Sequence, residues 1–391
     1  MYSYLSQAYY SHPPAIILLI SLFQALNLDV ARPSVKRKAG TWNPTRSASV
    51  ILLQSIVHRM LPKVCHVVTE GKTYVVIFTG RWKFLRFQIP YLFQSLRING
   101  GAIDKIVFMM ILYDAETYNK LMNLAKVVHG LFGENVFEFD YLGYEPGKSP
   151  QWQPGTSSQI YRDVYYNLFS RIINHPYDKY FKMDDDIVYV HPGTFQHMIE
   201  EKNSSHCFMH FANIVSNWRC NYMHMEMGVF DGEGLNPRGL KFEFSKSANC
   251  GWKSPECAEL CLRTFLHHYH NERLDKYMFK GLKQLTKRKR FSINLHLFDK
   301  DLINIKALLR TGPISPDDEG WWTEKYALNS EIKQPNCIVG KALVVHFSYS
   351  TTMKEMLRLN LLEEFETVLK MELGAKLNQV LWDALGFEFL L

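Results

Sequence analysis

From Tyr74 onward the apolar positions alternate between two rhythms. Tyr74-Val-Val-Ile-Phe-Thr79 is an unbroken apolar run, rich in β-branched and aromatic residues and stopped by Gly80, which predicts a strand buried on both faces. Phe84 to Arg97 then shows helical spacing, with Pro90 as an expected kink. Lys105 to Leu112 reads as a second buried strand, Ala115 to Leu131 as a second helix and Val136 to Tyr141 as a third strand. That alternation predicts βαβ units feeding a parallel sheet. Gly143 to Thr156, rich in Gly and Pro and without apolar period, is expected to be a surface or active-site loop. Ser158 to Asn174 reads as a helix capped by Ser157 or Ser158. Tyr180 to Met183 is a fourth short strand, and Ile187 to Val190 is an apolar run leading through His191-Pro192-Gly193 into another helix. Farther on, Ala342 to Phe347 predicts a strand and Met353 to Leu373 an amphipathic helix with Gly374 as its stop. Asn213 to Lys253, with many aromatic, Asn, Met and Gly residues and little period, is expected to supply loops.

Between the fourth strand and the next apolar run stand Asp184, Asp185 and Asp186. Burying one ionised carboxylate without a partner costs several kcal/mol, so three in such a setting need neutralising, and a metal ion is the simplest agent. If the strand period of two continues, Asp184 and Asp186 point one way and Asp185 the other, giving two oxygen donors for a hard cation such as Mn2+ or Mg2+. The alternative is an exposed acidic turn or a helix cap.

Length, composition and charge narrow the choice. The chain has 391 residues, 47% hydrophobic and 21% charged, which excludes a disordered or multi-span membrane protein. The net charge of +7 is concentrated at the start: residues 1–72 hold eight Lys or Arg against two acidic residues. The main body therefore lacks the bulk charge of a nucleic-acid binder. Ala15 to Leu28 is a short apolar stretch whose fourteen residues span about 21 Å as a helix, less than the roughly 30 Å hydrocarbon core. It is read as a signal-like segment, a membrane anchor or a peripheral helix, and the basic residues after it favour a cytoplasmic side for the downstream chain. Cytoplasmic or membrane-associated placement thus stands beside the secretory (Golgi) lumen as the alternative. Seven cysteines do not describe a disulfide scaffold. Cys250, Cys257 and Cys261 near His267, His268 and His270 suggest zinc as a minor reading, with buried thiols or one or two disulfides as the default. Asn203-Ser204-Ser205 is a glycosylation acceptor tripeptide, and Lys287 to Arg290 a basic loop.

The acidic triplet after a strand, in a doubly wound N-terminal half, resembles the DxD motif of glycosyltransferases with the GT-A fold. The likeness extends to Thr79-Gly80-Arg81, Ser158 to Tyr161, Asp317-Asp318-Glu319-Gly-Trp321-Trp322 and the segment Asn336 to Ser348. This ordered set resembles a glycosyltransferase-like group found in microbial polysaccharide and lipopolysaccharide loci, over residues 72 to 360.

The resemblance implies a single Rossmann-like α/β domain with a mostly parallel central sheet flanked by helices, and a nucleotide-sugar donor (a UDP- or GDP-sugar) bound at its N-terminal half. Thr79, Gly80 and Arg81 would face the nucleotide, Arg81 or Arg162 would contact phosphate, and Asp184 and Asp185 would lie at the donor. Asp184, Asp186 and His346 would hold the metal. Asp318 or Glu319 would be the general base on the acceptor hydroxyl in an inverting enzyme, and Trp321 and Trp322 would stack on the acceptor sugar. Each has a plainer reading: a core histidine, helix-capping acids, core tryptophans, a structural arginine pair. The expected organisation is a basic leader over residues 1–71, a glycosyltransferase domain over 72–375 (donor half 72–200, acceptor half 201–350) and a tail over 376–391. The expected activity is transfer of a sugar to a hydroxyl of a glycan or glycoconjugate. The alternatives are a nucleotidyltransferase acting on a sugar phosphate, or a non-catalytic carbohydrate- or partner-binding protein.

Overall fold

The computed structural model describes residues 71–387, apart from 111–113, 134, 142–177, 243–249, 251–252, 286–290, 300–322, 324–333, 348 and 350. Every described residue belongs to one compact unit, His66–Leu391. The leader with its apolar segment lies outside the described residues.

The strands are β1 (Thr73–Thr79), β2 (Lys105–Met110), β3 (Phe137–Asp140), β4 (Lys179–Asp184), β5 (Ile187–Val190), β6 (His210–Val215), β7 (Leu282–Leu285), β8 (Leu295–Asp299) and β9 (Asn336–His346). They form one nine-stranded sheet in the order β3-β2-β1-β4-β8-β6-β9-β5, with β7 also paired to β9. β1 to β4, β6 and β9 run in one direction, and β5, β7 and β8 run in the other. This is the expected α/β architecture, a mostly parallel sheet flanked by helices.

The first half follows from its apolar runs. β1 is buried at every position but Tyr74, as a central parallel strand must be. Its register against β4 sets Phe78 opposite Asp184, so the two strands end side by side. α1 (Trp82–Gln94) starts just beyond β1 and buries Phe84, Leu85, Phe87, Leu92 and Phe93; Pro90 sits inside it without ending it. α2 (Ala115–Phe132) is capped by Asp114, whose carboxylate accepts from the Thr117 N–H at 2.7 Å.

The second half departs from the expected loops. β6 and α4 (Trp218–Glu226) lie where the sequence shows little period, and Asn217 caps α4 through the N–H groups of Arg219 and Cys220. α3 (Thr194–Ser204) precedes β6, and α5 (Pro255–His270) opens on the Ser254 cap with Pro255 in its first turn. The single helix expected over Met353 to Leu373 is two, α6 (Met353–Leu357) and α7 (Leu361–Leu373), because Asn360 takes a left-handed φ of 53° between them. The expected tail contains α8 (Gln379–Leu385), capped by Asn378 and buried through Leu381, Trp382 and Leu385.

Four cysteines are paired, Cys207 with Cys337 and Cys250 with Cys257. Cys220 and Cys261 are buried free thiols, and burial pushes Cys220 up to about 12. The zinc reading is therefore corrected: Cys250 and Cys257 bind each other, and no cluster of three metal-ligating side chains occurs among the described residues.

Candidate functional site

β4 runs out at Asp184, and Asp185 and Asp186 form the turn before β5. The turn sits where the parallel strands end, the edge at which open α/β sheets bind ligands. It is not an exposed acidic cap: Asp185 is 4% exposed, Asp186 6% and His346 2%.

The strand stops at Asp184, and Asp184 takes different hydrogen-bond partners from Asp185 and Asp186. Asp184 pairs with Lys182, two residues earlier on the same strand face, and accepts from Asn294 Nδ2 at 2.9 Å through its other oxygen. Lys182 is itself buried, donating to the Ile293 carbonyl at 3.1 Å and lying 4.8 Å from the Phe78 ring centroid. Gln88 of α1 anchors the Asp184 carbonyl from the other side.

Asp185 and Asp186 turn instead to Arg81, the N-cap residue of α1. The Arg81 main-chain N–H donates to Asp185 Oδ2 at 2.6 Å, and Nε lies 3.1 Å from Asp185 Oδ1. Nη2 bridges from Asp185 Oδ1 to Asp186 Oδ2, the second contact at 2.9 Å. Asp185 thus satisfies an orphan donor at the start of a helix, where the helix dipole also favours negative charge.

Asp186 Oδ2 also faces His346 Nε2 at 3.3 Å, across the register that pairs Ile187 with His346. Burial opposes charge on Asp186, but His346 and Arg81 outweigh it and hold the carboxyl below its usual range. Burial equally opposes charge on His346, yet Asp186 raises its imidazole above the ordinary value. His210, His224 and His296 go the other way, each pushed down to about 3, chiefly by burial. His346 is therefore distinguished from the plain core histidines by the carboxylate it faces.

Asp186 Oδ1 is buried and has no hydrogen-bond partner among the described residues. The orphaned carboxylate oxygen is a donor that suits a Mn2+ or Mg2+ ion completed by phosphate oxygens, since these ions commonly take one or two carboxylates and finish their shell on substrate, and His346 would join it only after losing the proton that Asp186 favours. In that sense Asp186 and His346 fit the metal that the resemblance implies. Asp184, whose own partners are Lys182 and Asn294, also lies close enough to favour the charged form of His346.

Of the other candidates, Thr79 is buried and donates to the Ile77 carbonyl at 3.2 Å, and Gly80 links it to Arg81 at the same strand end. Arg162, Asp318, Glu319, Trp321 and Trp322 lie outside the described residues. Lys182, Gln88 and Asn294 join the site without having stood out in the sequence. The Lys182–Asp184 spacing was legible, because residues two apart on a strand share a face, whereas Gln88 and Asn294 had no sequence signal toward this turn. A cavity of about 360 Å3 lies elsewhere, between the end of α1, the turn at Asn99 to Ala102 and the start of α3, and contains none of the candidate residues.

No protein-family model matches the sequence, and neither does any curated protein. Among solved structures, a 4-diphosphocytidyl-2C-methyl-D-erythritol synthase from Anaerococcus prevotii DSM 20548 is similar over 74% of this chain and 95% of its own, at 8% identity and a TM-score of 0.36. GalNAc-T7, crystallised with UDP, GalNAc and Mn2+, is similar over 76% of this chain and 50% of its own, also at 8% identity and a TM-score of 0.36. At that level neither likeness assigns a substrate or a reaction.

Proposed function

We propose that this chain is a metal-dependent glycosyltransferase that moves a sugar from a nucleotide-sugar to a hydroxyl acceptor in glycan or glycoconjugate synthesis. The observation that carries the reading is the buried acidic turn at the ends of the parallel strands, with Asp186 Oδ1 orphaned and His346 at 3.3 Å from its neighbour Oδ2. Asp186 and His346 would hold the cation, whose charge offsets the negative charge that collects on the departing nucleoside diphosphate. The loop Thr79-Gly80-Arg81 borders the same turn and is assigned to the donor, with Arg81 on phosphate. Asp185 positions Arg81 through its bidentate grip. Asp184, fixed by Lys182, is assigned to the donor's ribose. Arg162 on phosphate, Asp318 or Glu319 as base, and Trp321 and Trp322 at the acceptor complete the assignment from the sequence motifs. The two disulfides suit an oxidising compartment and favour the secretory lumen among the locations considered.

Incubating the full chain with a panel of UDP- and GDP-sugars and Mn2+ tests the assignment. One donor should be hydrolysed slowly to its nucleoside diphosphate, and Asp186→Ala should lower that rate by roughly a hundredfold or more. Pyrophosphate release from a nucleoside triphosphate would point to the nucleotidyltransferase, and binding without turnover to the non-catalytic alternative.

A further inference from the structure

The two buried acids of the turn already have a cation, and it belongs to the chain. Arg81 grips them unequally. Asp185 receives the main-chain N–H at 2.6 Å, Nε at 3.1 Å and Nη2, whereas Asp186 receives Nη2 alone at 2.9 Å. Asp186 keeps a second buried oxygen with no partner among the described residues. Accessibility is unequal too: the Arg81 side chain is 35% exposed, against 6% and 8% for the side chains of Asp185 and Asp186. Its guanidinium lies 5.2 Å from the Phe84 ring centroid, and Nη1 lies 3.8 Å from Met353 Sδ, a soft and weakly bonded surround.

A member held firmly at one carboxylate, singly at the next and open on its outer side is built to pivot. We propose that Arg81 is an exchangeable counter-cation. Together with His346 it neutralises Asp186 while the site is without metal, and it leaves Asp186 when a divalent cation and a diphosphate arrive together. The grip on Asp185 persists, and the freed Nη2 donates to a phosphate oxygen. The inference rests on the cation assignment of the proposed function and adds to it a reason for ordered binding. Guanidinium and divalent cation repel each other when both lie against one carboxylate, so the metal alone binds weakly. A diphosphate, which gives Arg81 a new partner, strengthens the metal, and by linkage the metal strengthens the diphosphate equally.

The test measures Mn2+ binding to the full chain by calorimetry and by the electron-spin signal of free Mn2+, with and without UDP or GDP, alongside the Mn2+-induced change in melting temperature. Wild type should bind Mn2+ weakly alone and more tightly with the matching nucleotide. Arg81→Ala should bind Mn2+ alone about tenfold more tightly, the scale set by removing one charge-assisted competitor, and should lose most of the nucleotide effect. Its melting temperature should rise more with Mn2+ than that of wild type. Should Arg81→Ala fail to fold, Arg81→Lys retains a charge but lacks the fork that bridges two carboxylates, and should fall between the two. Unchanged affinity for Mn2+ alone in these variants, with nucleotide-dependent binding that Asp186→Ala abolishes, would overturn the exchange while leaving the metal site standing. Absence of Mn2+ binding in every protein, with or without nucleotide, would remove the metal site and the exchange together.

Discussion

Asp186 at the sheet edge and Glu372 on α7 are both carboxylates largely removed from water, and their surroundings drive them apart. Asp186 faces a guanidinium and an imidazole and is held below its usual range in spite of burial. Glu372 sits among Tyr91 of α1, Tyr189 of β5 and Tyr269 of α5. Burial pushes it up to about 7, although the Tyr189 hydroxyl donates to Oε1 at 3.1 Å and Lys376 also favours its charged form. A phenol is a weak substitute for a cation. The difference teaches that depth alone does not set a carboxylate's ionisation; what the neighbouring elements aim at it does.

Removing the cation from the first site should have the largest effect. Without metal, Arg81→Ala leaves two buried carboxylates without their shared positive partner and should cost about 2–4 kcal/mol in urea denaturation, toward the low side because Arg81 keeps roughly a third of its side chain in water. A loss under about 1 kcal/mol would mean that the two sites do not differ in the way described.

The second site should respond to pH. Glu372 titrates at about 7 in the fold and from the ordinary 4.5 when unfolded, so between those values the folded state holds a proton that the unfolded state has released. Its contribution is therefore greatest below about pH 4.5, falls as pH rises and levels off above about pH 7, a span of roughly 3 kcal/mol. Glu372→Gln should erase that slope and be the more stable protein at pH 8, read as the wild-type-minus-variant difference in denaturation midpoints across pH. A difference that stays flat from pH 4 to 8 would place Glu372 in ordinary solvent.

The smallest effect refines the tyrosine surround. Tyr189→Phe removes the hydroxyl that donates to the charged form of Glu372, and should cost about 1 kcal/mol at pH 8 and close to nothing at pH 5. An equal loss at both values would assign Tyr189 to packing alone.

Legibility in the sequence followed the same division. β1, β2 and β4 were readable because strands buried on both faces are nearly continuous apolar runs. β6 was not, since its buried positions include His210 and Asn213. Those two become tolerable inside through partners from elsewhere in the fold: Ser205 meets His210 at 2.7 Å, and Asn213 meets His224 at 2.7 Å while donating to the Tyr277 carbonyl at 2.7 Å. The break between α6 and α7 depended on one left-handed asparagine that helical spacing does not reveal. In the candidate site, the acidic triplet stood out because charge had been placed between buried strands, and His346 because it closes one. The partition of the three acids did not show.

The order of apolar runs by itself determined the α/β layout, the place of the acidic turn at a strand end and the position of His346 near the end of a buried strand, because continuous β-prone segments must be buried. Only the tertiary structure decided which carboxylate met which cation. Arg81 and Asp185 are 104 residues apart, and the register of β1 against β4 is what brings them within hydrogen-bonding distance. Hydrophobic periodicity is a local property of the chain, whereas the ionisation of a buried acid depends on charges a few ångströms away, and those are delivered by the fold.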